Sequence, residues 1–413
     1  MQILLIHQGF PGQFKHLVPA LQAQGHRLTV ISKTRPAASI PAGVNYISYT
    51  LQRGNTEGIH PLALELETKV IRAEAVAVQA LSLQKHGFWP DLILGHPGWG
   101  EMLFLSDIWP DVPQIHYVEF FHGVPGTDND FDGGLQESPL DPWDRAKARM
   151  KNAHHLSSLN QMTTGITPTQ FQHSVLPGWA QERTHIIHDG IDTDWLFPNP
   201  NAELQIPNGP LLRAGDPVIT FINRTFEPYR GVHVFLEALA LLQANHPTAQ
   251  TLLVGKDSAK VSYGRHRHDG IGWLTALKRQ HGSRLDWSRI HHLGTIPHTT
   301  LRTVYQISAA HVYLSYPFVL SWSLLEAMSC GCLVIGSATA PVQEVIKDKK
   351  NGLLVAFNDP QALTCILLNA LNHAQELMPL RMQARRYIQS NYDLRQCLSQ
   401  QITLIQKTVD SAS

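Results

Sequence analysis

Tyr316-Pro317-Phe318-Val319-Leu320-Ser321-Trp322-Ser323-Leu324-Leu325-Glu326-Ala327-Met328-Ser329-Cys330-Gly331-Cys332 reads as a strand end that runs into a short helix. Ser323 and Glu326 stand three apart ahead of an apolar run, and Gly331 stops the helix. A helix opening there aims its free N–H groups and the positive end of its dipole at whatever lies before Ser323. A diphosphate suits that position. The spacing places Glu326 on the first turn, where two readings stay open. Ser323-x-x-Glu326 is a capping box, in which the carboxylate only bonds back to the Ser323 N–H. Alternatively, the carboxylate accepts both hydroxyls of a ribose.

A chain of 413 residues exceeds one ordinary core and predicts two or three domains, of which two are favoured below. With 43% hydrophobic and 16% charged residues it is globular rather than disordered. Lys plus Arg and Asp plus Glu balance at 33 each, so no global field gathers nucleic acid. A local basic patch that touches a membrane surface stays open. Cys330, Cys332, Cys365 and Cys397 show neither a zinc spacing nor a disulfide framework and read as buried thiols in a reducing compartment. The N-terminus has no signal-peptide pattern and no later segment is apolar enough to span a membrane, so a cytoplasmic location is expected.

Outward from the opening stretch, strands and helices alternate. Ile3–His7 is a strand, Phe14 to Leu21 a helix closed by Gly25, and Arg27–Ser32 the next strand. A long helix from about Pro61 to His86 precedes strands Asp91–Gly95 and Gln114–Val118. Asn199–Asp216 lacks periodicity and reads as a connection. A second series follows, with strands Val218–Ile222, Thr251–Val254, Ile290–Leu293, His311–Ser315, Leu333–Ile335 and Leu353–Phe357. The expected fold is α/β, with two doubly wound Rossmann-like domains facing a cleft. Residues 1–198 form the first domain, 199–216 a linker and 217–383 the second domain. A helical tail over 384–413 packs back on the first.

Two loops could meet an anion. Gly9-Phe10-Pro11-Gly12 lets a backbone approach a ligand at a helix N-terminus, although an ordinary strand-to-helix turn explains it equally well. In Asn223-Arg224-Thr225-Phe226-Glu227-Pro228-Tyr229-Arg230-Gly231, two guanidinium groups six residues apart can converge on one diphosphate, since Arg binds phosphate oxygens bidentately.

These segments together resemble retaining glycosyltransferases of family 4, which have the GT-B fold. His7-Gln8-Gly9-Phe10-Pro11-Gly12-Gln13-Phe14 looks like the family's N-terminal loop, and Arg224 and Arg230 with Gly231 like its basic pair. Ile187-His188-Asp189-Gly190-Ile191-Asp192 is similar to its Asn-Gly-Val-Asp segment, and Glu326 with Ala327 to Gly331 fits the second glutamate of its two-glutamate signature. Phe318 stands where the first glutamate usually meets the donor sugar, which marks a subgroup lacking that residue.

The resemblance implies Glu326 on the ribose and Arg224 and Arg230 on the diphosphate. Beside them come Gly12 and the backbone amides of Leu320, Ser321, Trp322 and Ser323. The donor is then a UDP or GDP sugar and the acceptor a hydroxyl of a glycan, lipid or small molecule. No metal or other cofactor is expected.

Glu119 replaces the cleft histidine of many relatives. It either meets the sugar's hydroxyls and a positively charged transition state, or is a structural ion-pair partner. His96, after a strand, lines the acceptor side or merely packs. Asp128-Asn129-Asp130-Phe131-Asp132 invites a metal reading, but a solvated turn or, at Asp128, an acceptor hydroxyl contact is preferred. The rival activities are a sugar-nucleotide epimerase, a sugar phosphorylase, or a non-catalytic domain that binds a sugar nucleotide.

Overall fold

Ile3, Leu4, Leu5 and Ile6 are all fully buried, which a strand achieves only when both faces of its sheet are covered. Ile3 and Leu5 join one apolar cluster with Leu17, Leu21 and Ile405, whereas Leu4 and Ile6 join another with Val76, Ala80 and Trp109. That two-residue alternation builds a layer of helices on each side. The computed structural model describes residues 1–33, 40–123, 126–131, 141–264 and 266–412.

The strands, in chain order, are β1 Gln2–Ile6, β2 Arg27–Ser32, β3 Asn45–Ser48, β4 Leu92–Gly95, β5 Gln114–Tyr117, β6 Thr164–Thr167 and β7 Thr184–Ile186. They continue with β8 Glu203–Gln205, β9 Leu211–Arg213, β10 Val218–Thr225, β11 Gln250–Lys256, β12 Ile290–Gly294, β13 Ala310–Tyr313, β14 Val334–Ser337 and β15 Leu353–Val355. One parallel sheet has the order β3-β2-β1-β4-β5-β6-β7 and the other β12-β11-β10-β13-β14-β15. In each, the chain starts in the middle and winds first to one edge, then to the other. The switch points, β1/β4 and β10/β13, are where such sheets open a crevice beyond the strand ends.

Among the described residues, Met1–Asp130, 141–190 and 394–412 form one compact unit, and Phe131 with Ile191–Asp393 the other. Two sequence expectations need correction here. Residues 199–216 are a folded hairpin, not an open connection. β8 pairs antiparallel with β9, and Ala202, Ile206 and Leu212 enter the second unit's core. Asn208-Gly209 at the tip, with Asn208 at φ +54°, is a strong hairpin signal that the surrounding prolines and polar residues obscured. Residues 384–413 are not one helix either. Met378–Asn391 places Ala384 and Ile388 in the second unit, and Leu394–Asp410 places Leu404 and Ile405 in the first. Between them Ile191 N–H bonds to the Tyr392 carbonyl at 2.7 Å, and Asp393 accepts from Thr193 Oγ1 at 2.6 Å.

Cys330, Cys332 and Cys397 are buried as expected, but Cys365 is exposed. Among the described residues, no helix is long and apolar enough to cross a membrane.

Ile405, 1% exposed, ties the last helix to the first unit's core. Ile405→Ala should lose about 2–5 kcal/mol through transfer and cavity costs. Urea unfolding of the full chain should show an earlier transition, and an unmoved midpoint would mean that the helix is not integral to that core.

Candidate active site

In the second unit, β10 extends through Arg224 to Thr225, past the expected end at Ile222, with a register shift between Ile222 and Thr225. Arg224 is exposed at its C-terminal end. One tight turn, Pro228–Arg230, follows, and Gly231 at φ +69° opens the helix Val232–Asn245. A side chain at Gly231 would meet Leu314 at 2.5 Å, so this left-handed position requires glycine.

Arg230 differs from Arg224. It is 6% exposed, and its Nη1 donates to Tyr313 OH at 3.1 Å and Ser315 Oγ at 2.7 Å, while Nη2 donates to the Val319 carbonyl at 2.9 Å. Tyr313 OH also accepts the Ser321 N–H at 2.8 Å. The expected pair of equal phosphate clamps is therefore an exposed Arg224 and an Arg230 engaged in holding the loop before the next helix.

That helix is Trp322–Ser329, capped by Ser321 Oγ, which accepts the Ser323 N–H at 3.3 Å. Leu320 and Glu326 are buried, and Trp322 and Ser323 partly so. The capping-box reading fails, because Ser321 is the cap and Glu326 lies in the second turn. Its Oε1 accepts from His298 Nε2 at 2.9 Å and its Oε2 from Tyr305 OH at 3.1 Å. Gly331, at φ +75°, ends the helix as expected. Its N–H bonds to the Met328 carbonyl and the Cys332 N–H to the Ala327 carbonyl, the paired bonds of a Schellman motif.

Phe318, 5% exposed, packs edge-on against Tyr263 at 4.7 Å and Tyr229 at 5.7 Å. Glu227, unremarked in the sequence, is 1% exposed and accepts the Ser262 and Tyr263 N–H groups at 2.8 and 3.1 Å. Burial pushes its carboxyl up to about 7, against the opposing pull of those donors and of Arg230 and Arg224. No sequence signal separated it from an ordinary loop acid.

In the first unit, Gly12 sits at φ +47°, and a side chain there would lie 2.1 Å from the His7 ring. Its lack of a side chain therefore makes room for a histidine, whatever else it meets. Gln13 Nε2 donates to Glu119 Oε1 at 2.8 Å, and His96 Nε2 stands 3.6 Å from Glu119 Oε2. His96 stacks on Trp99 with ring centroids 4.0 Å apart, so it packs and faces the carboxylate at once. The Glu119 side chain keeps 25% of its surface exposed.

Asp128, by contrast, is buried, with Oδ2 3.4 Å from His122 Nδ1 and Oδ1 accepting from Asn129 at 3.1 Å. The solvated-turn reading is corrected for Asp128. It holds better for Asp130, which accepts the Gly126 and Thr127 N–H groups. Asp132 lies outside the described residues. Nothing in the sequence spacing linked His7 and Gln13 to Glu119, 106 positions beyond Gln13.

Residues 24–196 match the family model "Glycosyl transferase family 4 group" and 204–390 match "Glycosyl transferases group 1". The chain is 25% identical to a D-inositol 3-phosphate glycosyltransferase of Jonesia denitrificans, over 90% of this chain and 85% of the relative. Sucrose-phosphate synthase from Thermosynechococcus elongatus superposes with a TM-score of 0.73 at 20% identity over the whole of both chains. HepE of Anabaena in complex with UDP-glucose does so at 0.69 and 16% identity, covering 98% of this chain and all of HepE. Two family models that between them span most of the chain, on two parallel sheets of doubly wound order, place this protein among the family 4 glycosyltransferases with the GT-B fold.

Proposed function

We propose that this glycosyltransferase is a retaining enzyme that moves a sugar from a UDP or GDP sugar to an acceptor hydroxyl, with no metal ion. The observation that carries this reading is the exposed Arg224 at the β10/β13 switch point, in the same unit as the Ser321-capped helix whose approach loop Arg230 holds. A leaving diphosphate suits such a combination of guanidinium and oriented N–H groups. HepE is described with bound UDP-glucose, which supports the donor class. The names of two relatives carry a phosphorylated polyol or sugar, so polyol phosphates are the first acceptors to try.

In the proposed reaction the bond between the anomeric carbon and the diphosphate oxygen breaks, and the acceptor oxygen bonds to that carbon from the same face. The acceptor's proton passes to the departing phosphate, so no side-chain base is needed. Negative charge growing on the diphosphate is met by Arg224 and helix N–H groups. Glu326 takes the ribose hydroxyls through lone pairs not used by His298 and Tyr305. Glu119, partly exposed and 3.6 Å from His96 Nε2, lies on the acceptor side, where His96 and Asp128 are the further candidates, while Gly12 stays with the donor.

Transfer from one UDP or GDP sugar should persist in EDTA, and Arg224→Ala should lower kcat/KM at least about 100-fold without moving Tm. Product glycosides should keep the donor's anomeric configuration. Wild-type turnover in Arg224→Ala would remove the clamp from the reading. Binding without turnover across a donor panel would favour a non-catalytic role.

Glu227 gives a pH signature. Its folded pKa of about 7 lies above the unfolded value of about 4.5, so its stabilising proton is fully present below pH 4.5 and lost as pH rises through 7. The loss is on the order of 3 kcal/mol. Glu227→Gln should therefore melt above wild type at pH 8 and much closer to it at pH 5. An equal Tm difference at both pH values would contradict the raised pKa.

A further inference from the structure

The hydrogen bonds around Glu119 have a direction set by backbone N–H groups at both ends. Gly9 donates its N–H to His7 Nδ1 at 3.1 Å, so Nδ1 is bare and Nε2 carries the hydrogen. His7 Nε2 then donates to Gln13 Oε1 at 2.7 Å, which turns the amide Nε2 toward Glu119 Oε1 at 2.8 Å. On the other side Gly98 donates to His96 Nδ1 at 3.1 Å, and the remaining Nε2–H faces Glu119 Oε2 at 3.6 Å. One hydrogen-bonded donor chain thus begins at the Gly9 N–H, which gives up no proton, and ends on Glu119 Oε1, while the His96 ring, held by the Gly98 N–H, sets its Nε2 3.6 Å from Oε2, outside hydrogen-bond reach.

Packing fixes both rings in place. His7 and His96 are each 3% exposed, His96 lies flat on Trp99, and His7 meets Trp99 edge-on at 5.0 Å. Gly12 leaves the space that His7 fills. Burial also pushes the His7 pKa down to about 4, so the ring is neutral near pH 7.

We propose that His7, Gln13 and His96 are positioning residues that hold Glu119 as a fixed anion, whose exposed part accepts hydrogen bonds from acceptor hydroxyls. This rests on the glycosyltransferase reading of the first unit as the acceptor side. The network is not a proton relay. A relay needs a proton acceptor at its far end, and the far end here is a peptide N–H. The ligand class is accordingly a polyol that donates a hydroxyl at this point, and an analogue lacking that hydroxyl should bind poorly.

The test uses the full chain. Nitrogen-15 NMR of the imidazoles, without substrate at pH 7, should show a protonated Nε2 and a bare Nδ1 for both His7 and His96. In transfer kinetics, Gln13→Leu should raise the acceptor KM about 10-fold or more and leave the donor KM and Tm near wild type. Combined with Glu119→Gln it should add little to the loss of Glu119→Gln alone, because one residue acts through the other. A hydrogen on Nδ1 of either ring overturns the directed network, as does a Gln13→Leu effect confined to the donor KM or fully additive with Glu119→Gln. The NMR readout needs no substrate, so its failure strikes this proposal alone. An absence of transfer from every donor strikes the glycosyltransfer reading and, with it, the acceptor role of Glu119.

Discussion

The buried Arg230 guanidinium is the constraint on which the second unit's site depends. A charge that is 6% exposed must be fully met by polar partners, or its burial costs several kcal/mol. Tyr313 at the end of β13, Ser315, and the Val319 carbonyl meet it, and Tyr313 passes the constraint on to the Ser321 N–H at the helix cap. A strand end, a loop and a helix N-terminus are thereby locked into one arrangement. The buried arginine that organises this loop is thus distinct from the exposed one, Arg224.

The first unit solves a similar problem with a carboxylate. Doubly wound sheets leave a crevice at the switch point, and groups emerging from neighbouring strand ends must be oriented there by something other than the strands. Around Arg230 the partners are acceptors converging on a cation. Around Glu119 the Gln13 amide donates to one oxygen from the loop after β1, and the His96 ring from the loop after β4 stands 3.6 Å from the other. In both cases glycine makes the close approach feasible: Gly12 against His7 and Gly231 against Leu314.

Much of the fold was legible in the sequence, because the βα alternation and the fully apolar strands leave few other architectures. The 199–216 hairpin was missed since its three buried residues are too few for a periodic signal. The break at Tyr392 and Asp393 was missed for a different reason. It answers to Ile191 and Thr193, about two hundred positions away. Arg224, Arg230 and Glu326 in the second unit and Glu119 in the first were all visible as candidates, but which partners hold each of them was not. Two arginines in one loop look alike until burial separates them, and Glu326 looks like a cap until His298 and Tyr305 approach it. Glu227 carried no pattern at all, since its raised pKa comes from burial beneath the Ser262 and Tyr263 backbone.

By itself the sequence determined the class of this protein: two parallel-sheet units, helices punctuated by Gly12, Gly231 and Gly331, and charged residues at strand ends. Those properties are local, written in periodicity, in left-handed glycines and in residue type. Only the tertiary structure decided which charges are exposed, which are tied to the protein, and in which direction the hydrogen bonds run. Burial and donor direction depend on neighbours such as Gln13 and Glu119, or Arg230 and Val319, that lie about ninety or more positions apart. No pattern confined to one segment can record them.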